Sequence, residues 1–167
     1  MTAVSLFLRY HTANALPTAE GAIQIAMEEL PITLHDARAL VIGFGRLGRA
    51  LAPRLRALGA RVWVSARRYE QRAAAESMGL GSEGVTRLSD WLCSYDLVFN
   101  TVPAPVLGVE ELAALKERAL VIDLASRPGG VDMDAASTLG VRVIWALSLP
   151  GKVAPVTSGR YIRDTVY

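Results

Sequence analysis

Three glycines stand in the run Val41-Ile42-Gly43-Phe44-Gly45-Arg46-Leu47-Gly48, directly after the apolar stretch Ala39-Leu40-Val41-Ile42 and directly before a helical pattern. That spacing suits one kind of chemistry, the holding of a pyrophosphate. The first glycine permits a tight turn, the second lets the backbone come close to phosphate oxygens, and the third lets the following helix pack against a strand. Free N–H groups at the start of that helix bring partial positive charge to the phosphates. Gly43, Gly45, Arg46, Leu47 and Gly48 are therefore the expected cradle of a dinucleotide cofactor. A second signal follows the next β-branched run, at Val64-Ser65-Ala66-Arg67-Arg68. NAD-binding folds of this kind place a carboxylate there for the ribose hydroxyls. Here Ser65, Arg67 and Arg68 offer a hydroxyl and two guanidinium groups to a 2′-phosphate, which predicts NADP rather than NAD. The plainer alternative for the two arginines is the start of a solvated helix.

Three further loops are rich in small residues, proline and glycine: Asn100-Thr101-Val102-Pro103-Ala104-Pro105, Asp123-Leu124-Ala125-Ser126-Arg127-Pro128-Gly129-Gly130 and Leu147-Ser148-Leu149-Pro150-Gly151-Lys152. Each follows an apolar run, and ligands of open α/β sheets bind outside the carboxyl ends of the strands. Asn100, Thr101, Val102, Pro103, Leu147 and Lys152 are accordingly expected beside the second ribose and the nicotinamide. The catalytic residues stay unassigned, with Asp123, Ser126 and Lys152 as candidates. Asp123 serves equally well as an acceptor for neighbouring loop N–H groups, and Lys152 equally well as a solvent-facing lysine. No metal is expected, because His11 and His35 lack a partner at ligand spacing. Cys93, in the helix-like stretch from Leu88 to Ser94, reads as a core residue rather than a nucleophile.

These loops need a scaffold, and the chain supplies a repeating grammar of helical pattern, glycine and β-branched run. Gly59 precedes Arg61-Val62-Trp63-Val64, and Gly140 precedes Val141-Arg142-Val143-Ile144. Asp96-Leu97-Val98-Phe99 and Ala119-Leu120-Val121-Ile122 are further buried strands, with a helix from Val109 to Glu117 between them; Gly84-Val85-Thr86 is a weaker strand. Strands alternating with helices imply βαβ crossovers, hence a Rossmann-type, doubly wound parallel α/β sheet forming a single domain. Pro53 falls inside the helix from Arg46 to Leu58 and predicts a kink, while Leu47, Leu51, Leu55 and Leu58 keep an apolar stripe. Ahead of the sheet, Pro17-Thr18-Ala19-Glu20 reads as a helix start with Thr18 as N-cap, and Ile23, Ala26, Met27 and Leu30 share one face up to Pro31. The stretch Ala3-Val4-Ser5-Leu6-Phe7-Leu8 reads as a strand or a frayed terminus, too short to span a bilayer.

The 167 residues are 51% hydrophobic, enough for one core, and carry a formal net charge of +2 with scattered arginines. Neither nucleic acid nor a membrane is an expected partner. A single cysteine allows no internal disulfide, in keeping with a reducing, cytoplasmic compartment. A homo-oligomer is compatible with all of this.

Taken together, Asn14-Ala15-Leu16-Pro17-Thr18-Ala19-Glu20-Gly21-Ala22-Ile23, the glycine run, Asn100 to Pro105, and Trp145-Ala146-Leu147-Ser148-Leu149-Pro150-Gly151-Lys152-Val153-Ala154-Pro155-Val156-Thr157 resemble the carboxyl-terminal part of the dipicolinate synthase A-subunit family. The resemblance implies an NADP-dependent oxidoreductase that converts dihydrodipicolinate, a small dicarboxylate, to dipicolinate during bacterial spore formation, beside a flavoprotein-like second subunit. It also implies an amino-terminal domain ahead of this one. On that expectation residues 1–36 are a segment and helix that join the two domains, residues 37–167 are the NADP-binding domain, and the chain alone lacks a complete active site. Two other readings stand beside it: an NADP-holding regulatory or scaffolding module without turnover, and another NADP dehydrogenase acting on folate, shikimate or amino-acid substrates.

Overall fold

In a computed structural model, which describes residues 3–166, the chain forms six parallel strands flanked by helices. The elements are α1 (Ala3–Glu29), β1 (Arg38–Ile42), α2 (Arg46–Ala57), β2 (Arg61–Ser65), α3 (Tyr69–Ser77), β3 (Gly81–Glu83), β4 (Leu97–Asn100), α4 (Val109–Ala113), β5 (Leu120–Asp123), α5 (Met133–Leu139), β6 (Arg142–Trp145), α6 (Leu149–Val153) and α7 (Pro155–Val166). The strand order is β3-β2-β1-β4-β5-β6, all neighbours parallel. This is a Rossmann-type sheet, whose direction of winding reverses between β1 and β4.

The continuous apolar runs have a direct cause. Alternate residues of a strand point to opposite faces, and both faces here are covered. Ala39 and Val41 of β1 join Val62, Val64, Leu97, Phe99, Leu120 and Ile122 in one core with α1 and α2. Leu40 and Ile42 join Val98 and Val121 in the other, under α4 and α5.

Several elements differ from their sequence reading. The stretch Ala3 to Leu8 is neither strand nor frayed end: it belongs to α1, which runs unbroken through Pro17. Thr18 is therefore no N-cap, and its hydroxyl donates instead to the Asn14 carbonyl one turn back at 2.7 Å. Ala15, Ala19, Ala22 and Ala26 form the buried seam of α1, small enough for close approach to α2 and α6, whereas Met27 is 62% exposed. A Cβ on Gly21 would lie 2.8 Å from a Val153 methyl, which shows how closely α1 and α6 pack. Strand β3 occupies Gly81–Glu83 rather than 84–86, paired in register with Trp63 to Ser65. Leu88 to Ser94 forms two short 3₁₀ turns, Leu88–Asp90 and Leu92–Ser94, and Cys93 is exposed on the second rather than buried. Helix α4 stops at Ala113, four residues short of Glu117.

Helix α2 contains Pro53 and keeps Leu51 and Leu55 fully buried, while Leu58 lies beyond its end and is exposed. Left-handed glycines close the connections as expected, with φ of 88° at Gly59 and 68° at Gly140. Among the described residues no helix is long and apolar enough to cross a membrane, and no three His, Cys, Asp or Glu side chains gather into a metal-binding group.

Candidate functional site

A cleft of about 1300 Å³ opens above the carboxyl ends of the strands. Its floor is built first by Gly43, which follows β1 at φ 93° and extends the ladder by donating its N–H to the Ser65 carbonyl at 2.8 Å. Only glycine fits there, because a Cβ would stand 2.4 Å from Thr101 Oγ1. Thr101 is itself held by the Ile42 carbonyl, which accepts from both its N–H and its hydroxyl at 2.9 Å. Gly48 is needed for another reason: its Cβ would meet the Gly43 carbonyl oxygen at 2.2 Å, so α2 rests directly on the loop.

Gly45 behaves differently. It precedes α2 with φ −80°, a conformation open to any residue, and a Cβ there would meet nothing within 4 Å. Nothing in the chain itself demands a glycine there, and the space beside it stands open to the cleft. The helix behind it has no side-chain cap and no acidic residue in its first turn. Its first N–H groups, with the Arg46 side chain on the cleft wall, face that space with net positive character. Arg49 stiffens the loop, stacking 5.1 Å from the Phe44 ring and donating to the Phe44 carbonyl.

At the end of β2, Arg67 and Arg68 are exposed and line the cleft. Neither guanidinium has a partner among the described residues. Arg72 shapes their turn by donating to the carbonyls of Ala66 at 2.9 Å and Arg67 at 3.0 Å. Ser65 reaches the cleft but is fully buried, with its hydroxyl donating to the Gly84 carbonyl at 3.3 Å.

Beyond the switch in winding direction, Thr101, Val102, Pro103 and Ser126 line the cleft. Asn100 and Asp123 lie beneath its surface, hydrogen-bonded to each other at 2.8 Å. Leu147 and Lys152 stand outside the lining, where Ser148 and Pro150 take the wall instead. Lys152 is solvent-exposed in α6.

Asn14, Thr18 and Gln71 also line the cleft; sequence reasoning gave Thr18 only a capping role and assigned none to Asn14 or Gln71. Asn14 Oδ1 is buried and has no hydrogen-bond donor. A buried acceptor left so costs about 1–3 kcal/mol, which a ligand donor would recover. The available signal was the i, i+4 spacing of two polar residues, Asn14 and Thr18, beside the alanine seam of α1.

Two acids with shifted titration, Tyr95 and Asp96, lie away from the cleft, at the start of β4. Burial pushes the Tyr95 hydroxyl up to about 12 against the opposing charge of Arg38. Burial also works to raise Asp96, yet the Lys116 hydrogen bond, the Arg38 N–H at 2.9 Å and both cationic charges together hold its carboxyl below the usual range.

Comparison with known proteins agrees with this geometry. Residues 3–138 match the family model described as D-isomer specific 2-hydroxyacid dehydrogenase, NAD binding domain. The A subunit of dipicolinate synthase from Bacillus subtilis (strain 168) is 36% identical over 165 residues, which cover 98% of this chain and 56% of that protein. The crystal structure of the A subunit of dipicolinate synthase from Bacillus halodurans superposes with a TM-score of 0.92 at 38% identity, over 94% of this chain and 54% of that one. The transhydrogenase from Sinorhizobium meliloti shares the fold, with a TM-score of 0.82 at 21% identity over 94% of this chain and 53% of that one. The chain thus spans about half the length of the relatives it matches.

Proposed function

Since the chain belongs to the D-isomer specific 2-hydroxyacid dehydrogenase NAD-binding domain family, we propose that it is the NADP-binding module of an oxidoreductase resembling the A subunit of dipicolinate synthase. A nicotinamide dinucleotide fits the residues present, because the side-chain-free space at Gly45 and the unsatisfied Asn14 acceptor are both left over by the chain's own packing. Gly43, Gly45, Arg46 and Leu47 would hold the pyrophosphate, and Arg67 and Arg68 the adenosine ribose phosphate. The observation that carries NADP over NAD is the pair of unpartnered guanidinium groups at the end of β2.

In the whole protein the substrate is proposed to be dihydrodipicolinate, which on aromatisation gives up a hydride and a proton and leaves dipicolinate. Bound NADP supplies the hydride acceptor. This chain's residues orient and exclude water: α2 fixes the phosphates, and the loops after β4 and β5 form one wall of the reacting site. The other wall would come from the rest of the intact protein, whose setting is spore formation beside a flavoprotein-like second subunit. A cytoplasmic location accords with that assignment.

Calorimetric titration tests the cofactor claim. Each charge-assisted hydrogen bond to a phosphate contributes about 1.5–3 kcal/mol, or roughly ten- to a hundredfold in affinity. NADPH should therefore bind at least tenfold tighter than NADH, and Arg67→Ala should weaken NADPH alone. Equal affinities would refute it. A pure binding module without turnover is the competing reading, since the fold alone does not fix a reaction. Steady NADPH production from dihydrodipicolinate by the 167-residue chain alone would exclude that module and show that these residues complete a site by themselves.

A further inference from the structure

Asn100 and Asp123 are register neighbours at the ends of β4 and β5. Their relative exposures are 0% and 2%, so both polar groups must be satisfied from within. Asp123 Oδ1 accepts from Asn100 Nδ2 at 2.8 Å and from the Ala125 N–H at 3.1 Å, and Oδ2 accepts from the Gly130 N–H at 2.9 Å. Asn100 spends its remaining capacity on its own loop, donating to the Val102 carbonyl at 3.0 Å and accepting from the Val102 N–H at 3.1 Å. The Gly130 carbonyl closes the network by accepting from the N–H groups of Val106 and Leu107, both at 3.0 Å. No slack remains around the pair. A Cβ on Gly130 would lie 2.2 Å from Asn100 Nδ2, and one on Gly129 would lie 2.9 Å from Asp123 Oδ2.

One buried carboxylate thereby ties two loops, 101–107 and 124–131, and both loops give residues to the cleft wall. They lie across the winding switch from Arg67 and Arg68, on the half of the sheet where the second mononucleotide of a dinucleotide sits. We propose that Asp123 and Asn100 are positioning residues for the nicotinamide half of the cofactor site: they touch neither cofactor nor substrate, and they set the distance between the two loops that do. The proposal rests on the dinucleotide reading above and gives Asp123 a role other than acid or base. Its chemical logic is specific to a carboxylate. Three donors converge on two acceptor oxygens, and an amide at position 123 would turn one of those oxygens into a donor facing another donor.

The test compares two ligands on the full chain. NADPH occupies the whole site, and 2′,5′-ADP only the adenosine half; NADH and ADP replace them if the chain prefers NAD. The bond broken is internal to the protein, so its loss reaches the ligand only by letting the two loops shift. Asp123→Asn should weaken NADPH by roughly tenfold, as expected for a loosened supporting shell, and leave 2′,5′-ADP within about twofold. Gly130→Ala, which drives a methyl group against the same pair from the other side, should give the same split. Parallel weakening of both ligands, or unchanged NADPH affinity, overturns the clamp. If Asp123→Asn does not fold, Gly130→Ala decides by the same criterion, and failure of both to fold would make the pair a folding element and overturn the assignment. An unmodified chain that binds neither ligand overturns the dinucleotide reading itself, whereas normal binding with unaffected variants overturns the clamp alone.

Discussion

A methyl group added at Gly45 and one added at Gly48 should act on different quantities. At Gly48 it would collide with a backbone carbonyl that cannot rotate away. Gly48→Ala is therefore expected to lower stability by about 1–3 kcal/mol, in the range of overpacked sites. At Gly45 there is nothing to collide with, so Gly45→Val should melt close to the unmodified chain and lose affinity for either dinucleotide. Circular-dichroism melts beside cofactor titrations separate the two, and a folded Gly45→Val variant with normal affinity would remove the residue from the cradle. Both glycines stand out equally in the sequence, since spacing alone names the loop. Which of them answers to the chain and which to a ligand needs the three-dimensional neighbours. The same limit applies to Asn14, which lines the same cleft as Ser148 and Pro150, residues more than a hundred positions away. Ser65 shows the converse: its type suggested a phosphate donor, but the arrival of the loop after β3 engages its hydroxyl.

Strands were legible because burial on both faces writes a continuous apolar run, and their observed bounds fall within one residue of the runs for β1, β2, β4, β5 and β6. Strand β3 and the 3₁₀ turns were not, because Gly81–Glu83 has no apolar signature and pairs only through its backbone with β2. Helix α1 misled for another reason. Proline followed by threonine looks like a helix start, yet α1 continues because its alanine seam packs against α2 and α6, and the Thr18 hydroxyl turns back to the Asn14 carbonyl instead of capping. One element junction has a pH signature. Asp96 ties the start of β1 to β4 and to Lys116, and its carboxyl is held below the usual value. A depressed folded-state value adds stability above the unfolded value of about 3.9, and that contribution is lost as pH falls through the folded value. Asp96→Asn should therefore cost stability at neutral pH, with the difference from the unmodified chain shrinking below about pH 4 in urea melts. A constant difference down to pH 2 would show that the carboxylate charge is not what joins these strands.

For the molecule as a whole, ligand occupancy should appear as heat resistance. At a hundredfold excess over its dissociation constant a ligand specific for the folded state adds about 2.7 kcal/mol, which for a domain of this size raises Tm by roughly 5–10 °C. NADPH should produce that shift, and NADH a smaller one at equal concentration, in differential scanning calorimetry. The order of the strands also bears on how the chain is made. Strand β1 sits at the centre of the sheet, yet its neighbour on one side is β4, with Arg38 and Asp96 58 residues apart. A ribosome adding about 5–20 residues per second therefore leaves the β4-facing edge of β1 open for roughly 3–12 s. That edge belongs to Ala39-Leu40-Val41-Ile42, an uncharged run that in the finished fold is wholly hidden, and an open apolar edge is a template for intermolecular pairing. Nascent chains stalled before Leu97 should therefore be captured by holdase chaperones, and release of the arrest past Asn100 should end the capture, so that the most protected strand of the native protein is the most vulnerable during its synthesis.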